Sequence, residues 1–397
     1  MRVLHVIPSL SPLRGGPTHA ALAMVLALRE MAMDAEIAST NDHGAGVLDV
    51  PLGQRIEYQD VPVWFFGRFS PPIPTLREFI YSRGLSAWLC RHIDDYDLLH
   101  IHAIFCYPAT AAMWMARKRQ KPYISRPLGQ LDAWALQQSA VRKKLYWTLI
   151  EKRNLQEASA IHFTAERERT EATRLGLNAP SVVIPHGVDI PANISNARAR
   201  LRDQLGLPYD EPIILFLSRV HPKKGLDYLI PALGKLKGRR FSFILAGTGD
   251  PSYEAEVARF LRLAEIEDRT KRVGFVEGEF KQLLLQGSDL FVLTSHSENF
   301  GIAVIEALAA DLPVLITPSV ALADTVSSAG FGYVVKLDAT HIAEAIDAHL
   351  RKADRLEGSP ARTADYVAAH YSWSSVAQKL RALYEKVCSK SLLSHGS

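Results

Sequence analysis

Short aliphatic runs recur along this chain, each followed by a stretch of helical periodicity, and the scheme plays out twice. In the first half the runs are Val3–Ile7, Leu98–Ile101, Tyr123–Ser125, Ala160–Phe163 and Val182–Ile184. Helical patterns such as Thr18–Met31 and Ala140–Leu155 lie between them. In the second half Ile213–Leu217, Phe241–Leu245, Leu290–Leu293 and Val314–Ile316 read as strands, and Leu226–Leu236, Tyr253–Ala264 and Gly301–Ala310 as helices. Runs this apolar suit strands covered on both faces, as in a parallel α/β sheet. With 397 residues the chain exceeds one ordinary core and suits two Rossmann-like halves of roughly 200 residues. The boundary falls after Pro185-His186-Gly187-Val188-Asp189, where Pro191 and Asn193 open a polar stretch. The expected domains are 1–187 and 188–372, and a last helical segment runs from Ser372 to about Cys388.

In open parallel sheets ligands bind beyond the carboxyl ends of the strands, where helix amino ends offer free amides. Four loops there are chemically unusual. After the first strand, Arg14-Gly15-Gly16-Pro17 precedes a helix, as either an anion-binding loop or a simple tight turn does. After Ile213–Leu217 comes Ser218-Arg219-Val220-His221-Pro222-Lys223-Lys224-Gly225. Cations at a helix amino end oppose the helix dipole unless a phosphate sits between them and the amides, and solvated surface charge is the competing account. The segment Ser297-Glu298-Asn299-Phe300-Gly301-Ile302 leads into a helix that is apolar to Ala310 except for Glu306. A carboxylate among such neighbours needs hydrogen-bond partners, and vicinal ribose hydroxyls or a structural ion pair would both serve. Glu298 sits where it can reach a neighbouring polyol, and the amides of Asn299 to Ile302 where they can donate to sugar or phosphate. Finally, His100-Ile101-His102 closes a strand with both imidazoles on one face, where two histidines at a ligand-facing strand end suggest function and satisfied core histidines are the alternative.

Other features narrow the function by exclusion. Asp95-Tyr96-Asp97 has the spacing of a cation-holding pair but precedes its strand, at the wrong end of the sheet. Gly247-Thr248-Gly249 has Ser252 where a dinucleotide fingerprint needs Gly or Ala, which disfavours an NAD-dependent oxidoreductase. Cys90, Cys106 and Cys388 are odd in number and lack zinc-ligand spacing, so a reducing, cytoplasmic setting without a zinc site is expected. No apolar run approaches the roughly 18 residues of a membrane span. Between Arg117 and Arg174 thirteen Lys and Arg face six Asp and Glu, leaving the rest of the chain net negative. Within that stretch Arg142-Lys143-Lys144-Leu145-Tyr146-Trp147-Thr148-Leu149-Ile150 mixes cations with apolar residues, as a helix leaning on an anionic leaflet does. Core packing of Trp147 and Leu149 is the competing account.

Together the Gly15-Gly16 loop, His100-Ile101-His102, Ile184-Pro185-His186-Gly187-Val188-Asp189, Ser218-Arg219 with Lys224-Gly225, Gly247-Thr248-Gly249 and Glu298 with Glu306 resemble glycosyltransferase family 4. That family comprises retaining, metal-independent enzymes of GT-B fold. Ser125-Arg126-Pro127-Leu128-Gly129-Gln130-Leu131-Asp132-Ala133-Trp134-Ala135-Leu136 resembles bacterial polysaccharide-assembly members, although Leu128 stands where Arg is usual. The resemblance implies two domains facing across a cleft, the acceptor on 1–187 and the nucleotide sugar on 188–372, with 373–397 crossing back to the first. It also implies roles. Gly16 contacts the donor diphosphate, and Arg219 and Lys224 neutralise it as leaving group. Glu306 binds the ribose, Glu298 the transferred sugar, and His102 lies near the reacting centre. Arg272-Val273-Gly274 lies beside the base. The expected co-substrate is a nucleoside diphosphate sugar, preferentially UDP-linked and of glucose type. The expected acceptor is a saccharide or polyprenyl-diphosphate-linked saccharide, with no nucleic acid partner. The expected setting is the cytoplasm or the inner face of its membrane, with contact through 140–155. A GT-B nucleotide-sugar 2-epimerase and a non-catalytic binding module are the alternatives.

Overall fold

The computed structural model describes residues 1–73, 77–132, 136, 140–353 and 363–394. The chain divides into two compact units, Met1–Gly187 with Trp373–Ser397, and Val188–Ser372.

The first unit is built on eight strands: β1 (Arg2–Ser9), β2 (Asp34–Thr40), β3 (Arg55–Tyr58), β4 (Val61–Phe66), β5 (Leu98–His102), β6 (Tyr123–Arg126), β7 (Ala160–Phe163) and β8 (Ser181–Val183). Their order is β8-β7-β6-β5-β1-β2-β4-β3, all parallel except the antiparallel edge pair β3–β4. The helices are α1 (Gly16–Glu30), α2 (Arg83–His92), α3 (Tyr107–Lys118), α4 (Ala140–Tyr146), α5 (Lys152–Gln156) and α6 (Glu166–Arg174). Alternation along the strands sorts the two faces. Leu4, Val6, Leu99, Ile101 and Tyr123 pack under α2 and α3, while Val3, Ile7, Leu98 and Ile124 pack under α1. The expected helix over 140–155 is broken by a wide π turn, Trp147–Glu151, between α4 and α5. That turn separates the two apolar residues in question: Trp147 packs against the core and Leu149 is 67% exposed. Of the acceptor-side stretch, Ala133–Ala135 lie outside the described residues, as does the Arg142 side chain.

The second unit carries β9 (Ile213–Leu217), β10 (Ser242–Ala246), β11 (Thr270–Gly274), β12 (Leu290–Leu293), β13 (Val314–Ile316) and β14 (Gly332–Val334). They form a fully parallel sheet in the order β11-β10-β9-β12-β13-β14. Around it lie α7 (Ala197–Leu205), α8 (Leu226–Gly234), α9 (Pro251–Leu263), α10 (Gly278–Gly287), α11 (Ile302–Ala309), α12 (Ala323–Ala329), α13 (Ala339–Ala353) and α14 (Thr363–Tyr371). Every residue of β9, β10, β12 and β13 is buried, which is why these strands read as unbroken apolar runs.

The last helix, α15 (Trp373–Ser394), belongs to the first unit. Its Val376, Ala377, Leu380, Tyr384 and Val387 join the core under α1. Both units are Rossmann-like, with helices on parallel sheets.

Candidate active site

In the second unit, four strand-to-helix loops are tied edge to edge beyond the carboxyl ends of β9, β10, β11 and β12. The Ser218 amide donates to the Ala246 carbonyl at 3.1 Å, the Val220 amide to Thr248 at 2.9 Å, and the Gly247 amide to Gly274 at 2.7 Å. The fit depends on missing side chains: a Cβ on Gly247 would lie 1.8 Å from the Ser218 carbonyl oxygen. A short 3-10 turn, Pro222–Lys224, leads to Gly225 at φ 70°, and the Thr294 hydroxyl donates to the Gly225 carbonyl at 3.0 Å. This seats Lys224 against the loop after β12, and its ammonium pairs with Glu298. The Glu298 backbone is held in turn by the loop after β13, accepting from Ala321 and donating to Ser319, each at 3.0 Å.

Arg219 is exposed at the same edge, next to His221, whose pKa is lowered by partial burial and by Arg219, Lys224 and Lys223. Gly301, at φ 90°, caps α11, so the Asn299–Ile302 amides lie at a helix start. The Phe300 side chain is not part of that opening. It is buried, with its ring 6.2 Å from that of Tyr371, so only its backbone faces the loop. Glu306, in the second turn of α11, pairs with Lys281 of α10 at 2.9 Å. The structure therefore gives Glu306 a cationic partner that spacing along the chain did not reveal. Lys281 takes one carboxylate oxygen, Oε1. Arg272 pairs with Glu254 at 3.1 Å, and Val273 is half-buried beside it at the end of β11. Arg219, Lys224, Gly247, Arg272, Glu298 and the start of α11 thus share one sheet edge.

In the first unit, Gly15 takes φ 72° and ψ −141° and caps α1, which starts at Gly16. A Cβ on Gly15 would meet nothing within 4 Å, so backbone conformation, not crowding, requires glycine there. Arg14 is turned away into an ion pair with Asp42 at 2.8 Å. Asp42 is fully buried and also holds Arg68.

His102 is fully buried. Its Nε2 lies 3.0 Å from Nδ1 of His5, and its Nδ1 lies 3.5 Å from Nη1 of Arg126. Arg126 Nη2 donates to Nδ1 of His186 at 2.9 Å. Register sets these contacts, since His5 is level with His100 and His102 with Arg126. His100 bonds the Tyr384 hydroxyl at 2.6 Å and Nδ1 of His162 at 3.2 Å. Burial drives His5 and His162 down to about 3 and pushes His100, His102 and His186 well below the usual histidine range, with Arg126 adding repulsion. Burial lowers Arg126 itself to about 10, against the attraction of Glu168. Glu168, whose carboxyl burial pushes up, accepts from the Gly129 amide at 2.6 Å and the Thr164 amide at 2.8 Å, joining the loops after β6 and β7. Sequence reading did not connect His5, His162, His186, Arg126 and Tyr384 with His102. The available signal was a lone polar residue in each of several strands that are otherwise apolar.

Two family descriptions match: "Glycosyl transferase 4-like domain" over residues 15–187 and "Glycosyl transferases group 1" over residues 197–364. The chain belongs to the group 1 glycosyltransferases of family 4. It is similar to D-inositol 3-phosphate glycosyltransferase of Mycolicibacterium smegmatis, with 26% identity over 94% of this chain and 87% of that protein. The Nocardia farcinica enzyme of the same name is 28% identical over 73% of this chain and 66% of its own length. Among solved structures, Anabaena Alr3699/HepE in complex with UDP and glucose superposes with a TM-score of 0.77 at 19% identity, covering 97% of this chain and all of that one. Sucrose-phosphate synthase from Thermosynechococcus elongatus gives 0.79 at 21%, covering 98% of this chain and all of that one. At such identities these likenesses establish the GT-B fold. Group 1 membership makes the chain a glycosyltransferase, with its cationic loops at the sheet edge of the second unit.

Proposed function

We propose that this glycosyltransferase moves a hexose from a nucleoside diphosphate sugar to a saccharide or polyprenyl-diphosphate-linked saccharide, with retention and without a metal. The observation that carries the reading is the Lys224–Glu298 pair beside Arg219 at one sheet edge. It sets a group suited to a leaving diphosphate against one suited to a sugar. Arg219 and Lys224 take up negative charge as the glycosidic bond breaks, while Glu298 binds hydroxyls of a sugar turning oxocarbenium-like. Glu306 keeps Oε2 for a ribose hydroxyl while Lys281 occupies Oε1. Arg272 and Val273 flank the base. The Anabaena neighbour was solved with UDP and with UDP-glucose, which supports a UDP-glucose-type donor. To the first unit we assign the acceptor, with the Gly16 amide available to an anion, since that of Gly15 donates to Pro12, and with His102 near the reacting centre.

A thermal-shift series with UDP, GDP and their sugars, repeated on Glu306→Ala, tests the donor site. Stabilisation by UDP-glucose that weakens in the variant is expected, and an unchanged response removes the ribose assignment. Incubating donor alone and finding an epimerised sugar would replace transfer by 2-epimerisation.

One surface of the first unit supports contact with an anionic membrane face, and with it a place in cell-envelope polysaccharide assembly. Trp114, Leu145, Leu149 and Ile150 are 52%, 60%, 67% and 36% exposed among Lys118, Lys144 and Arg153. A groove of about 770 Å³ is lined by Trp114, Lys118, Leu149, Ile150 and Arg153 among others. Apolar side chains ringed by cations suit an anionic leaflet. Co-sedimentation with anionic, but not zwitterionic, liposomes at low salt is expected, and its failure removes the membrane contact.

A further inference from the structure

The sheet face covered by α1 and α15 carries a polar stripe through an apolar core: His162, His100, His5, His102 and Arg126, with Tyr384 reaching in from α15. Both ends of the stripe have fixed hydrogen-bond roles. At one end, Nε2 of His162 lies 2.8 Å from the Ile184 carbonyl, which can only accept, so Nε2 carries the proton. A neutral ring then has its lone pair on Nδ1, which accepts from Nε2 of His100. Nδ1 of His100 accepts from the Tyr384 hydroxyl, and that oxygen lies 3.5 Å from Nε2 of His5. Nδ1 of His5 therefore accepts from Nε2 of His102, leaving the His102 lone pair on Nδ1. At the other end stands Arg126, which can only donate, 3.5 Å from that lone pair. With contacts of 3.5 Å at Tyr384–His5 and at His102–Arg126, neither end fixes His102 by itself, and the two together favour one direction of donation through all six groups.

We propose that His5 and Tyr384 are positioning residues for His102, holding it as the neutral tautomer that carries its proton on Nε2 and turns its Nδ1 lone pair to Arg126. The proposal rests on the reading of His102 as a group near the transfer centre. Its consequence there is electrostatic. A protonated His102 would set a second positive charge against the buried guanidinium of Arg126. The ladder fixes an uncharged acceptor instead, and it does so from a helix that joins this unit only after the second unit has been completed. His5, His100 and His102 also bring ring nitrogens within 4.8 Å of one another. A divalent ion there would compete with the donors that already use those lone pairs and would lie close to Arg126, so the ladder accounts for the cluster without a metal.

The test uses the full chain labelled with ¹⁵N-histidine, read by long-range proton–nitrogen correlation near neutral pH. His5, His100, His102 and His162 are each expected as a single form with Nε2 protonated and Nδ1 bare. Tyr384→Phe is expected to convert the His102 signals to a tautomer mixture and to lower kcat several-fold at unchanged donor KM. Leu380→Ala, which thins the α15 contact without touching the ladder, should keep the wild-type His102 pattern. The proposal is overturned by a protonated Nδ1 on any of the four rings, by a His102 pattern indifferent to Tyr384→Phe, by the same loss in Leu380→Ala, or by stoichiometric zinc in the purified chain. The nitrogen signals need no turnover, so they are read apart from His102→Asn kinetics, which test the underlying reading.

Discussion

Tyr384 and His100 are separated by 284 positions in the sequence and by 2.6 Å in the structure. The hydroxyl of the last helix donates to an imidazole in the middle of the first sheet, and both side chains are fully buried. Removing that hydroxyl leaves the His100 lone pair unmatched in an apolar core, which costs about 1–3 kcal/mol. Tyr384→Phe should therefore lower the urea midpoint of the first unit with little change in slope. Leu380→Ala, a cavity change on the same helix, should cost about 2–5 kcal/mol. A Tyr384→Phe variant as stable as wild type would show that the hydroxyl bond contributes nothing.

Acid should unlock the same region. An unfolded histidine binds its proton near pH 6.5, whereas His5 and His162 in the fold do so only near 3. Between those values the unfolded chain holds more protons, so stability falls as pH falls. The contribution is fully present above about pH 6.5 and levels off below about 3. By pH 5 each such ring costs about 2 kcal/mol, so these two together cost about 4. His100, His102 and His186 act in the same direction, because each is depressed by burial and by neighbouring positive charge. Marginal domain stability cannot absorb that loss for long. Calorimetry from pH 7.5 to 5 should show the first unit melting at steadily lower temperature, and a flat profile would contradict neutral rings.

Much of the fold is legible because buried parallel strands leave unbroken apolar runs, as Ile213–Leu217 does. β2 is not legible, because Asp34 and Glu36 disguise it. Glu36 is 1% exposed, and its partners are Arg2 at 3.2 Å, Arg55 at 2.9 Å and Tyr96, all from other elements. Such pairing exists only once the sheet is assembled. The Lys224 loop announces itself because cations oppose the dipole at a helix start, the Gly15 loop by its paired glycines ahead of Pro17, and Glu298 by preceding a helix that is apolar except for Glu306. Lys281 gives no such sign, since an exposed helix lysine is ordinary until α10 is laid against α11. The histidine ladder is hidden for the same reason: its members come from four strands and one distant helix.

At the donor edge, Lys224 and Glu298 are only 12% and 19% exposed, yet their pair joins two loops and no buried core. Stability should depend on it weakly, by about 1 kcal/mol. Activity should depend on it strongly. Lys224→Ala should lower kcat/KM by roughly 10²–10³, the usual loss when one group stabilising transition-state charge is removed. Glu298→Gln should retain the thermal shift with UDP but lose the extra shift given by UDP-glucose. If steady-state kinetics on Lys224→Ala match wild type, the leaving-group role is wrong.

Gly225 and Gly330 offer a controlled comparison, because their backbones are nearly identical: φ 70°, ψ 29° at Gly225 and φ 69°, ψ 29° at Gly330. Alanine at either position bears the same left-handed strain, about 1 kcal/mol. Their surroundings differ completely. A Cβ at Gly330 meets nothing within 4 Å, whereas at Gly225 it would lie 1.9 Å from the Thr294 carbonyl oxygen. That oxygen belongs to backbone at the end of β12 and can yield only by moving the loop that carries Glu298. Gly330→Ala should therefore lower stability by about 1 kcal/mol and leave donor binding intact. Gly225→Ala should cost several kcal/mol more by overpacking and weaken the UDP-glucose shift, because Lys224 and Glu298 are pushed apart. Equal losses in the two variants, measured by denaturant titration, would mean that the close approach of these loops does not hold the pair together.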